Sequence, residues 1–183
     1  MNPVVEPAGG LFRLSLKDAL FIGFCAVFAV LARMMLRLHL HISGHAMLVT
    51  AFFLLLARGS VRYRFAASFA GLLAGSASIF LGFAKSGPFM LVKYLAVALV
   101  IDLAGLLMPN LFRNYFWCAL VGGSAGATKF FTAYSVNFLA GMDRTVNFQA
   151  SLLEAAGAIL FGVLGGLLVP VVLRRLHAYG VIS

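Results

Sequence analysis

Long, continuously apolar runs dominate this chain, and short segments between them hold most of its charge. Hydrophobic residues make up 63% of it and charged residues only 10%, with a mean hydropathy of +1.04. Soluble domains carry about 45–50% apolar and about 25% charged residues, so an integral membrane protein is expected. A β-barrel would instead show alternating segments of about ten residues. At about 25–30 residues for a span and its loop, 183 residues allow six helices and leave none for a soluble catalytic domain. The expected fold is all-α: one transmembrane domain over residues 1–183, with helices at about 17–38, 42–58, 65–84, 88–108, 114–139 and 147–174.

The basic residues flank these runs, where they set orientation. Arg13, Lys17, Arg58, Arg62, Arg64, Arg113, Arg174 and Arg175 fall on one set of alternate ends, against Arg37, Lys85 and Arg144 on the other. Six helices with that bias place both termini in the cytoplasm. The net charge of +9 does not imply nucleic acid, because no basic patch with interleaved aromatics stands outside the spans. Cys25 and Cys118 lie inside apolar runs and suggest neither a disulfide framework nor a redox pair. A cleavable signal peptide is not expected, since the first run is long and Arg33 and Arg37 follow it.

The segment RLHLHISGHAMLVT, residues 37–50, concentrates His39, His41 and His45 beside Ser43 and Gly44. The apolar run after it is stopped by Arg58, well short of the 17–25 residues that cross a bilayer. Short, polar-interrupted spans point to binding sites in transporters. Under the topology above, this segment, the Lys85 turn and the Asp143 loop face outward together.

Four ionisable residues fall inside spans, where they face the bundle interior, a partner or a water-filled path: Lys93, Asp102, Lys129 and Glu154. Lys93 and Glu154 lie about 7–11 Å below the outward ends at 1.5 Å per residue; Asp102 and Lys129 are expected nearer the middle. Two readings stand. Lys93 with Glu154, and Asp102 with Lys129, form charge pairs that fix helix register; or Lys93, Glu154 and the polar half of helix five, including Asn137, line a pocket for a small polar solute.

The histidines also admit more than one reading. His41 and His45 have the i, i+4 spacing of two ligands on a helix, but no carboxylate or cysteine accompanies them, so no metal is assigned. Pocket-capping histidines and ordinary interfacial ones are the alternatives. The chain has no HExxH, GxSxG, P-loop or CxxC, so neither enzyme activity nor a cofactor is expected.

Small residues recur along the first helix at Ala19 and Gly23, and again at Cys25 and Ala29. Such spacing lets another helix approach closely, within the protein or from another subunit. LKDALFIGFCAVFAVLAR in the first helix, SGPFMLVKY at the entrance to helix four and GLLAGSASIFLG in helix three together resemble the substrate-binding S components of energy-coupling factor transporters. The resemblance spans the chain and rests on architecture more than on a diagnostic motif.

It implies a subunit of the bacterial inner membrane that binds a vitamin or a vitamin precursor with high affinity. A separate transmembrane coupling subunit and ATPase subunits would energise uptake. It places ligand contacts at His41, His45 and Lys93, with Glu154 and Asn137 as further candidates, and docking at Ala19, Gly23, Cys25 and Ala29. The literal AxxxA spacing of the family's docking helices is missing here. The lysines and histidines lean toward an anionic or ring-nitrogen-containing solute. Two other classes compete with this reading: an accessory or assembly subunit with no ligand of its own, and a small channel or proton-linked carrier using Asp102, Lys129 and Glu154.

Overall fold

Each apolar run forms a helix in the computed structural model, which describes residues 15–39, 44–61, 63–82, 87, 89–108 and 111–179. Among them are six α-helices: α1 (Leu16–His39), α2 (Ala46–Ser60), α3 (Ala66–Phe80), α4 (Phe89–Leu107), α5 (Tyr115–Leu139) and α6 (Arg144–Ala178). A single 3₁₀ turn, Leu111–Arg113, precedes α5. Three stretches among the described residues are long and apolar enough to cross a membrane: Leu16–Met35, Phe89–Leu107 and Arg144–Leu176. With 15 residues each, α2 and α3 are about 22 Å long, shorter than a hydrocarbon core of about 30 Å.

The short α2 is the hub. Met47, Ala51, Leu54 and Leu55 are fully buried in one cluster with Ile22 of α1, Ala67 and Ala70 of α3, Val97 and Ile101 of α4, Val121 of α5 and Ala158 of α6. No residue of α2 is exposed, and a helix so enclosed needs no polar face, which explains its largely apolar sequence. Outward-facing positions are apolar as well. Leu20, Phe24, Val27 and Leu31 of α1, Leu99 and Leu103 of α4, and Leu153, Leu160 and Leu164 of α6 are exposed. Water disfavours so much continuous apolar surface; hydrocarbon does not.

Glycine decides how the last two helices meet. Cys118, Gly122 and Gly126 of α5 lie against Gly166, Gly162 and Ala158 of α6, so two four-residue rows run antiparallel to each other. A Cβ on Gly122 would strike the carbonyl of Gly162, and one on Gly126 that of Ala158. Close backbone approach between small residues is a main source of helix association where water cannot drive it. The far end of this hairpin is held by polar groups. Asn147 Nδ2 donates to the Tyr134 carbonyl at 3.0 Å, and Ser151 Oγ donates to Asn147 Oδ1 at 3.0 Å. Phe130, Tyr134 and Phe138 stack along α5 at neighbouring turns.

The entry to α2 is set by Gly44, whose φ of +87° is open to glycine at little cost. A side chain there would also collide with the α6 backbone at Gly157 and Ala158. The turn starts α2 at Ala46, four residues later than the sequence pattern predicts. Because Gly44 abuts Gly157, the part of α6 before that point, about 20 Å of helix, rises past the start of α2. Asp143 helps to start α6 early: its Oδ1 accepts the Thr145 N–H at 2.9 Å and its carbonyl accepts the Asn147 N–H at 2.8 Å.

Candidate functional site

Beyond the start of α2, charged side chains from four helices converge. Lys129 of α5 lies 3.9 Å from Glu154 of α6, with only 14% of the Lys129 side chain exposed. Arg33 of α1 and Lys93 of α4 are close enough for their charges to act on Lys129. The Arg33 guanidinium sits over the ring of Tyr94, 5.3 Å from its centroid, in the geometry of a cation–π contact. Tyr94 is 1% exposed, and its hydroxyl has no hydrogen-bond partner among the described residues.

Helix packing explains the convergence. Ile22, Cys25, Ala26, Ala29 and Val30 form the buried face of α1, and Arg33 continues it one turn further. Tyr94 is fixed by α3, where Gly71 and Gly75 lie directly against it. Lys129 and Glu154 follow from the glycine register, one turn beyond the contact of Gly126 with Ala158. Three cations therefore share a partly desolvated region with one carboxylate. Coulomb interactions strengthen as the dielectric falls, so the region has an excess of positive potential suited to an anionic group.

The site residues named from the sequence fare differently. Lys93 and Glu154 both enter the neighbourhood of Lys129. Asn137 lies eight residues beyond Lys129 on the same helix, about 12 Å further along it. His45 occupies the N-cap position of α2 and makes no side-chain capping hydrogen bond there. His41 lies outside the described residues, as does Lys85. On α1, Cys25 and Ala29 are buried at 2% and 0% and pack inside the bundle. Gly23 points the other way, with nothing within 4 Å of an added Cβ, and Ala19 is half-buried.

The expected pairing of Asp102 with Lys129 is not what forms. Asp102 Oδ1 lies 3.3 Å from Arg58 Nε instead, near the opposite end of the bundle. The guanidinium edge is not aligned for a hydrogen bond, so the contact is a charge pair. Both carboxylate oxygens are also used by α3: Oδ1 accepts the Ala67 N–H at 3.2 Å and Oδ2 the Ser68 N–H at 2.7 Å. A helix leaves its first N–H groups unsatisfied, and no α3 side chain caps this one. Asp102, reaching across from α4, takes that role. The pairing differs from the expectation because Asp102 lies only five residues before the end of α4 and never reaches the depth of Lys129.

Arg33 and Tyr94 are the members of the cluster that reading the sequence left out. Arg33 had a signal: it falls on the same helical face as Cys25, Ala29 and Val30. Tyr94 had none, since an aromatic residue in an apolar run has no distinguishing pattern. Compared with known protein families, curated proteins and solved structures, the chain matches none.

Proposed function

We propose that this protein is a membrane solute-binding subunit whose ligand carries a negative charge, held among Arg33, Lys93 and Lys129 with Glu154 completing the polar lining. What supports the reading is that cluster: Arg33 and Lys93, from two further helices, are each close enough to act on Lys129, and the Glu154 carboxylate lies beside it. A chain that needed these groups only for packing gains nothing from placing like charges together in a low dielectric. In this reading all six helices belong to the membrane, both termini are cytoplasmic, and the cluster opens outward. The compartment is the bacterial inner membrane. The solute belongs to the vitamin and vitamin-precursor class of the S components that the sequence resembles, and the chain performs no chemistry on it. Energy comes from a coupling subunit and ATPase subunits. The exposed α1 face around Gly23, with Leu20, Phe24 and Val27, is where the coupling subunit would dock.

Native mass spectrometry of the detergent-purified protein tests this. A retained stoichiometric adduct of vitamin size, lost in Lys129→Gln, is the expected result. A bare mass, together with no rise in melting temperature from a panel of anionic vitamins and precursors, would overturn it in favour of an accessory subunit.

A further inference from the structure

A second polar feature lies at the other end of the bundle. A cavity of about 550 Å³ is lined by Arg58, Gly59, Arg64, Gly105, Leu106 and Phe112 among others, with no carboxylate in its wall. Arg58 is held from behind by Asp102 along its Nε edge. Its guanidinium lies against Gly105, where an added Cβ would stand 2.9 Å from Nε and 3.3 Å from Nη2. Glycine at that position lets the group lie flat across α4. Arg64 is exposed, makes no ion pair among the described residues, and is near enough for its charge to repel that of Arg58. Two guanidinium groups thus face one cavity, and Asp102 behind it is already engaged by Arg58, Ala67 and Ser68.

The apolar surroundings narrow the ligand further. Leu106 is 42% exposed at the rim, and Leu103 and Leu99 continue from it along α4, 58% and 54% exposed. Their spacing sets them on one helix face, so an apolar stripe leads away from the cationic cavity. Guanidinium groups are suited to phosphate oxygens, and basic pockets between membrane helices hold acidic lipid headgroups.

We propose that this cavity binds a phosphate-ester anion, with the headgroup of an acidic glycerophospholipid between Arg58 and Arg64 and an acyl chain along Leu106, Leu103 and Leu99. The inference shares only the membrane location with the proposed function; it requires neither the solute nor the transport assignment.

The test uses the full chain in detergent, with Arg64 as the probe because it is exposed and its loss leaves the Arg58–Asp102 pair intact. In native mass spectrometry the wild type should retain phosphatidylglycerol over phosphatidylcholine by about fivefold, the effect of one basic side chain near a membrane surface. Arg64→Gln should abolish that preference and Arg64→Lys should keep most of it. Arg175→Gln, which removes the same charge elsewhere on this end, should leave it unchanged. Inorganic phosphate, followed by thermal shift, separates the sources. An Arg64-dependent rise in melting temperature without lipid preference keeps the phosphate site and assigns it to a soluble ester. If neither arm depends on Arg64, the site is overturned while the membrane reading stands. A chain that stays soluble without detergent would instead overturn the membrane reading and the lipid assignment with it.

Discussion

Asp102 lies 3.3 Å from the guanidinium of Arg58 while its carboxylate also accepts the N–H groups of Ala67 and Ser68. One acid therefore ties together α2, the first turn of α3 and α4. Breaking a buried pair from one side is costly because it leaves a charge uncompensated. Asp102→Ala strands Arg58 and uncaps α3 together, so a loss of about 3–5 kcal/mol is expected, read as a large fall in melting temperature in detergent. Asp102→Asn keeps a carbonyl acceptor and should recover about 1 kcal/mol of it. Equal effects of the two variants would argue against the capping role.

Gly162 and Gly23 are both helical glycines, yet they should respond in opposite directions to alanine. Gly162 faces the Gly122 carbonyl without room for a Cβ, whereas nothing lies within 4 Å of one on Gly23. Overpacking a filled contact costs about 1–3 kcal/mol, while alanine in an open helical site gains up to about 1 kcal/mol. Thermal unfolding of Gly162→Ala and Gly23→Ala, side by side, checks the prediction. If Gly23→Ala leaves stability intact but prevents recovery of a larger complex from membranes, that result marks the exposed α1 face as a docking surface.

The effect of Glu154→Gln on solute affinity reports the sign of the ligand's charge. Removing the one carboxylate from among Arg33, Lys93 and Lys129 raises the local positive potential. An anionic solute should then bind as tightly or more tightly, and Lys93→Ala or Lys129→Gln should weaken it about tenfold or more, the usual scale for a partly desolvated charge contact. Titration calorimetry on the three variants gives the answer. Weaker binding in Glu154→Gln with unchanged binding in the lysine variants would mean a cationic solute.

Orientation can be read with single cysteines. The native thiols are shielded, Cys25 at 2% and Cys118 at 0% exposure, so background labelling by a membrane-impermeant maleimide should be low. Asp143→Cys, in the exposed turn between α5 and α6, should label in intact cells. Arg175→Cys, near the exposed end of α6, should label only after permeabilisation. The reverse pattern would place the cationic cluster on the cytoplasmic side and remove the uptake reading.

Much of this protein is set by its amino-acid order alone. The apolar runs fix where the helices form, because an apolar stretch of sufficient length satisfies its backbone only as a helix or closed barrel in hydrocarbon. The close contact at Gly122 and Gly126 likewise depends on residues too small to hold the two backbones apart. What the sequence could not supply was partnership. Reading the sequence pairs Asp102 with Lys129, and only the packing of α2 beside α4 gives it Arg58 instead. Arg33 joined Lys129 because α1 continues its buried face one turn past Val30 to the level where α5 meets α6. Electrostatic partners are chosen by position in space over a few ångströms, and residues 44 to 96 positions apart in the chain reach that range only once the helices are packed.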